Sequence, residues 1–234
     1  MPHLCTDDFI TNFATLVKNS IRPDVKIYVE YSNEVWGTLF AGGIYAQQQG
    51  LKMGLSTSAT TARFCFYVLR SSQIFKIWKS VFGSDSARLV FVLASQAVNP
   101  DATRQILACS GVKEATALAI APYFGTYSST RDTDLNVFMN STLPKQIAAM
   151  SSTITGHLKW AKKYNLTLIT YESGQGMQGS GKTTDLAIQA NRDSRMADLY
   201  VQYYSMLRQA GVKLMMQFDS ARIFSTKACW GLIE

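Results

Sequence analysis

Two glutamates stand where a short apolar run gives way to polar chain, each flanked by aromatic residues: Val29-Glu-Tyr-Ser-Asn33-Glu34-Val-Trp36 and Leu168-Ile-Thr-Tyr171-Glu172-Ser-Gly. A carboxylate at a strand tip among aromatics is partly desolvated, which raises its pKa and suits it to proton donation. A better hydrated partner stays ionised and able to attack. Such a pair, with carboxyl groups about 5–5.5 Å apart, is the equipment for hydrolysing a glycosidic bond with retention of configuration. Glu30 lies four residues before Glu34, roughly 13 Å deeper along an extended strand, and reads as a buried, hydrogen-bonded residue. Asp219 ends the last apolar run without a supporting motif.

Other chemistries have weaker claims. Cys5, Cys65, Cys109 and Cys229 contain no CxxC pair, and His3 and His157 are the only histidines. No standard zinc spacing results, and neither structural nor redox cysteine chemistry is expected. No metal or cofactor is implied. Gly176-Met-Gln-Gly-Ser-Gly181-Lys182-Thr183 matches the phosphate-binding P-loop, and Leu214 to Asp219 resembles a Walker B strand. Against nucleotide binding, Glu172-Ser-Gly-Gln separates the strand from the first glycine, and the motif comes near the end of the chain. Asn140-Ser-Thr and Asn165-Leu-Thr match the N-glycosylation acceptor pattern, which has meaning only in a secreted chain.

The elements that must position the glutamates follow from periodicity. Apolar residues at Ile10, Phe13, Val17 and Ile21 predict a helix from Thr6 or Asp7 to about Ser20. Val25–Tyr31, Arg88–Ala94, Ala117–Ala121, Leu166–Tyr171 and Lys213–Phe218 read as strands. Helical patterns fall between them, over about Phe40–Gly50, Ala59–Phe82, Pro100–Cys109, Thr133–Tyr164 and one long stretch from Thr184 to Ala210. Apolar strands alternating with helical crossovers predict a parallel α/β sheet with helices outside it. At 234 residues and 47% hydrophobic composition the chain can form one domain of α/β-barrel size.

Composition narrows the partners. The excess of 23 basic over 16 acidic residues contains no block of like charges, and no aromatic-and-basic motif accompanies it, so nucleic acid is not expected. No apolar run approaches the roughly 20 residues of a membrane span. The N-terminal residues Met1 to Asp8 have neither a basic region nor a long apolar stretch, and localisation stays open.

The set Ser32-Asn33-Glu34, Pro122-Tyr123 and Tyr171-Glu172, with the longer strings Tyr28 to Trp36 and Cys229-Trp230-Gly-Leu-Ile-Glu, resembles the clan A (β/α)8 glycoside hydrolases, in a secreted, cellulase-like branch. The resemblance implies a TIM-type barrel holding about strands 4–8, with Glu34 as acid/base after strand four and Glu172 as nucleophile after strand seven. It also implies that Asn33 bonds the sugar 2-hydroxyl, that Tyr123 holds the nucleophile, and that Trp36 and Trp230 offer sugar-stacking faces. His3 would correspond to a polar residue ending strand three. Two departures stand out. The eighth strand reads Leu214-Met-Met-Gln-Phe218-Asp219 where the clan usually places a tryptophan, and the first strands, with an arginine that supports the nucleophile, have no counterpart. The implied substrate is a β-linked glucan or related oligosaccharide. The implied partner is a second copy or a chain supplying further strands, which would cover the open sheet edges. A carbohydrate-binding remnant without turnover is the alternative reading.

Overall fold

A computed structural model describes residues 1–125, 134–177, 182–225 and 229–234, with the side chains of Lys182 and Thr183 excluded. Helices and strands alternate as α1 (Asp7–Ser20), β1 (Ile27–Glu30), α2 (Ala41–Lys52), α3 (Ala59–Phe82), β2 (Leu89–Ala94), α4 (Pro100–Leu107), β3 (Ala117–Ile120) and β4 (Tyr123–Phe124). There follow α5 (Leu135–Val137), a π-helical turn running into α6 (Leu143–Lys163), then β5 (Thr167–Thr170), β6 (Gly174–Gln175), α7 (Lys182–Arg192) and α8 (Arg195–Gln209). The main sheet has the order β1-β2-β3-β5, and β4 pairs with β6. The ladders are parallel, with Ile27 opposite Leu89 and Val92 opposite Ala117. Parallel neighbours need crossovers, which the helices supply. The central strands are almost wholly buried, as strands covered on both faces must be. The chain is therefore a parallel (β/α) structure.

Local chemistry sets the boundaries. Thr6 caps α1 by accepting from the Phe9 amide at 3.2 Å, and Asp7 and Asp8 add negative charge to its first turn. Ser58 caps α3, and Asn99 caps α4 just before Pro100.

Two compact units are defined by packing, residues 1–119 with 159–167 and residues 120–158 with 168–234. In the first, α2 lies against α3 so closely that a side chain at Gly50 would meet the Ala62 backbone. Gly42 and Gly43 play the same part against the turn that follows β1: a Cβ at Gly43 would fall 1.6 Å from the Gly37 carbonyl oxygen, and one at Gly42 would fall 2.5 Å from Ser32 Oγ. Backbone cannot yield as a flexible side chain can. Gly43→Ala is therefore expected to destabilise the protein by at least the ~1–3 kcal/mol typical of overpacking, while Gly54→Ala, with open space around it but a φ of +67°, should cost only backbone strain of about 1 kcal/mol. Thermal melting of the two variants checks the ranking.

Four expectations are corrected. The long helix over Thr184–Ala210 is two helices, because the Asp193 carboxylate accepts from both the Arg195 amide (2.9 Å) and its guanidinium, turning the chain between α7 and α8. That bonding holds the Asp193 carboxyl down at about 2. The strand over Lys213–Phe218 begins as a ladder on β5, with Lys213 donating to the Leu168 carbonyl and Thr170 to that of Leu214. It then loses regularity because hydroxyls intercept it: the Met216 amide donates to Thr170 Oγ1 and the Met216 carbonyl accepts from Ser173 Oγ. The α1 stripe is rotated, burying Ile10 and Ala14 while Phe9, Phe13, Leu16 and Ile21 stay exposed. Finally, Cys65 on α3 and Cys109 after α4 form a disulfide, 44 residues apart in sequence. No short-spacing pattern announces such a pair, since the fold alone brings α3 and the end of α4 together.

Candidate active site

β1 ends at Glu30, and the chain then enters a tight turn. Tyr31 is fully buried, Ser32 and Glu34 take left-handed φ values of +60° and +49°, and the Gly37 amide donates to the Glu34 carbonyl. Two non-glycine residues in that region within three positions are uncommon, and such strain gathers at binding and catalytic turns. The turn leaves Asn33 exposed and Glu34 and Trp36 half-buried, with Val35 as its apolar anchor. Glu30 is half-buried rather than buried.

His3 lies beside this turn. Its carbonyl accepts from the Tyr31 hydroxyl at 2.9 Å and its ring meets that of Tyr45 at 5.6 Å. Met1 fixes the segment: its ammonium donates to the Glu30 carbonyl and its own carbonyl accepts from the Ser32 amide, both at 2.6 Å. Burial lowers the pKa of that ammonium. The first unit thus gathers His3, Asn33, Glu34 and Trp36 around the carboxyl end of β1.

In the second unit Glu172 occupies an interruption between paired strands. The Tyr171 amide still donates to the Ile120 carbonyl, but Pro122, across the ladder, has no N–H to give, and pairing resumes only where Tyr123 faces Gly174. Into this gap the Tyr123 hydroxyl donates to Glu172 Oε2 at 2.7 Å. Both residues are half-buried. A hydroxyl on one carboxylate oxygen fixes the group's rotation and leaves the other oxygen for a reacting atom, a bond to an ionised acceptor being about twice as strong as a neutral one.

A cradle of tyrosines on α8 supports this gap. Tyr203 donates to the Pro122 carbonyl at 2.5 Å and accepts from the Gly174 amide, and burial drives its pKa above the ordinary tyrosine range, so that it remains a donor. Tyr200 accepts from the Gln175 amide and from Gln217 Nε2. Tyr204, pushed up to about 12 by burial, donates to Gln217 Oε1. Gly174 is obligatory here, with φ at +130° and the Gln217 amide 2.4 Å from where a Cβ would stand. The sequence reading missed Tyr200, Tyr203, Tyr204 and Gln217; the available signal was three tyrosines on adjoining faces of one amphipathic helix.

Trp230 is tied to the same region. Fully buried Gln175 donates through Nε2 to the Cys229 carbonyl, as does Asn191, which anchors the closing segment to β6. The Trp230 ring packs edge-on against Phe218, with the Arg222 guanidinium 5.7 Å from both ring centres. Trp230 remains half-exposed. Arg222 pairs with Asp219, which occupies the carboxylate of the Walker B resemblance. Most of the P-loop-like segment, residues 178–181 and the side chains of Lys182 and Thr183, lies outside the described residues. Among the described residues no cluster of His, Cys, Asp and Glu has metal-binding geometry, and no helix is long and apolar enough to cross a membrane.

No family model and no curated protein matches the chain. Solved structures do. The chain is similar over 94% of its length to an endo-β-1,4-mannanase of Cellulomonas fimi, at 11% identity and a TM-score of 0.53, spanning 41% of that protein. It also aligns over 96% of its length with a GH5 xyloglucan-specific endo-β-1,4-glucanase from a metagenomic library, solved with cellotriose, at 12% identity and a TM-score of 0.47. Of that glucanase it spans 58%. The likeness is one of fold, a parallel (β/α) structure of the TIM-barrel type, and the chain spans about half the length of these neighbours.

Proposed function

We propose that this chain carries the catalytic residues of a retaining β-glycoside hydrolase acting on a β-linked glucan or related oligosaccharide. The observation that supports this reading is the Tyr123 hydroxyl on Glu172 Oε2 at the interrupted end of β5. Glu172 attacks the anomeric carbon while Glu34 protonates the departing oxygen; Glu34 then takes a proton from water, which releases the glycosyl group from Glu172 with a second inversion. Asn33 holds the sugar 2-hydroxyl, Trp36 and Trp230 offer ring faces to neighbouring sugars, and His3 adds a polar contact beside Ser32. No cofactor takes part.

The experiment is turnover of aryl β-glycosides and of β-glucans. Glu34→Ala should lose polysaccharide hydrolysis by roughly 10²–10⁴-fold, the usual worth of a general acid. It should keep the first step on aryl glycosides, whose good leaving groups need no proton. A Glu34→Ala variant that hydrolyses both classes at the wild-type rate removes Glu34 from the mechanism.

For the partner we propose a second copy of this chain. Among the described residues β1 is an edge strand, and only its carboxyl end is occupied, by Met1. Because Glu30 and Ser32 bond outward to Met1, the two-residue alternation turns the Tyr28 peptide groups to the same open edge. Beside it lies a groove of about 220 Å³ lined by Phe13, Val17, Ile21, Tyr28 and Trp78. An open edge next to apolar surface favours strand pairing. Light scattering should give a dimer that Tyr28→Lys converts to monomer; a wild-type monomer at high concentration would refute this.

A further inference from the structure

The disulfide changes the meaning of a motif unrelated to catalysis. A structural disulfide such as Cys65–Cys109 forms and persists on the secretory route, not among cytosolic reductants. On that route Asn-x-Ser/Thr triplets meet oligosaccharyl transfer. Two triplets occur, at Asn140 and Asn165, and their settings differ.

Asn165 ends α6. Its φ of +56° is the left-handed turn after the helix, and the Leu166 amide donates to the Ala161 carbonyl while that of Asn165 donates to Lys162, the double bond of a helix-terminating turn. Asn165 and Thr167 are both exposed, whereas Leu166 between them is buried. Among the described residues the Asn165 side chain has no hydrogen-bond partner. A sugar on Nδ2 would displace nothing. The left-handed turn accounts for an asparagine at 165 but not for an exposed threonine two residues on.

Asn140 belongs to the π-helical turn Phe138–Thr142, where Phe138 and Met139 are buried and Ser141 and Thr142 half-buried. Asn140 Oδ1 accepts from Arg195, which also bonds Asn136 and Asp193. Asn140 is itself exposed, but its amide is tied to Arg195 and so is not free for transfer as that of Asn165 is.

We propose that Asn165 is an N-glycosylation acceptor and Asn140 is not. The donor is a polyisoprenyl-diphosphate oligosaccharide. Asn165 Nδ2 bonds to its anomeric carbon as the carbon–oxygen bond to the diphosphate breaks; the lipid diphosphate leaves with that electron pair and the amide gives up one proton. The proposal is independent of hydrolase activity. It also places the glycan at the amino end of β5, whose carboxyl end leads to Glu172.

The test is secretion of the full chain from a eukaryotic host, followed by treatment with a peptide N-glycosidase, which hydrolyses the glycosylated side-chain amide to the carboxylate, and peptide mass mapping. One glycan is expected, mapped to Asn165 by the Asn-to-Asp mass increment. It should be lost in Asn165→Asp, which tolerates the left-handed turn, and in Thr167→Ala, which keeps the asparagine, but retained in Asn140→Gln. Folded protein secreted with Asn165 unmodified, or with a glycan on Asn140 alone, overturns the proposal, and so does secretion with Cys65 and Cys109 as free thiols.

Discussion

Glu172→Ala is expected to lose hydrolysis by about four orders of magnitude or more, the scale of removing a nucleophile from a covalent mechanism. Melting should stay near wild type, because Glu172 is half-buried and its removal leaves the Tyr123 hydroxyl able to turn to water. The decisive variant is Glu172→Gly with azide. If Glu172 attacks the anomeric carbon, a small anion entering its place should restore part of the turnover and yield a glycosyl azide of inverted configuration, since only one displacement then occurs. Tyr123→Phe sharpens the assignment. It keeps the ring and deletes the donor on Oε2; at about 1.5–3 kcal/mol for a hydrogen bond to a charged group, kcat should fall roughly 10–100-fold. KM should change little if Glu172 is the nucleophile, since the bond would then orient the attacking group rather than the sugar. Wild-type turnover by Glu172→Ala would reassign the nucleophile.

Much of what surrounds Glu172 was legible in the chain, and the reason is physical. β5 is short, apolar and bounded by turn residues, so its end is marked; Pro122 advertises a break in pairing because it lacks an N–H. The hydroxyl-to-carboxylate contact between Tyr123 and Glu172 spans 49 residues, and only the resemblance to a known clan pointed to it. Features that depend on long-range competition were not legible. Nothing in Leu214-Met-Met-Gln says that the hydroxyls of Thr170 and Ser173 will take its ladder bonds, nor that Asp193 will turn the chain within an unbroken helical pattern. Gly42 and Gly43 read as poor helix formers, yet they let the Glu34 turn lie against α2. The rotation of α1 was hidden because Phe9, Phe13, Leu16 and Ile21, which stay exposed, outnumber the buried Ile10 and Ala14, and a stripe wider than its partner does not declare which edge is buried.

Breaking Cys65–Cys109 carries the second large expected effect. Closing a loop of 44 residues removes unfolded-state entropy equivalent to about 4 kcal/mol in the chain-entropy treatment. For a chain of this size each kcal/mol moves the midpoint by roughly 2–4 °C, so Cys65→Ala with Cys109→Ala should melt about 8–16 °C below the parent. Cys109 is buried, so part of any loss in the double variant is lost packing. Reductant acting on the unaltered chain isolates the crosslink, because it leaves both sulfurs in place. The two experiments should agree to within the cost of two missing thiols. Alkylation should also label Cys5, half-exposed, far faster than buried Cys229, whose thiol burial pushes up. The disulfide joins α3 to the end of α4, and so links the helices on either side of β2. Its loss should loosen the first unit, whose β1 end carries Glu34, and activity should then fall at temperatures below those of global melting. Unchanged melting in the presence of reductant, with the thiols shown to be free, would mean that packing of α3 and α4 holds without the crosslink.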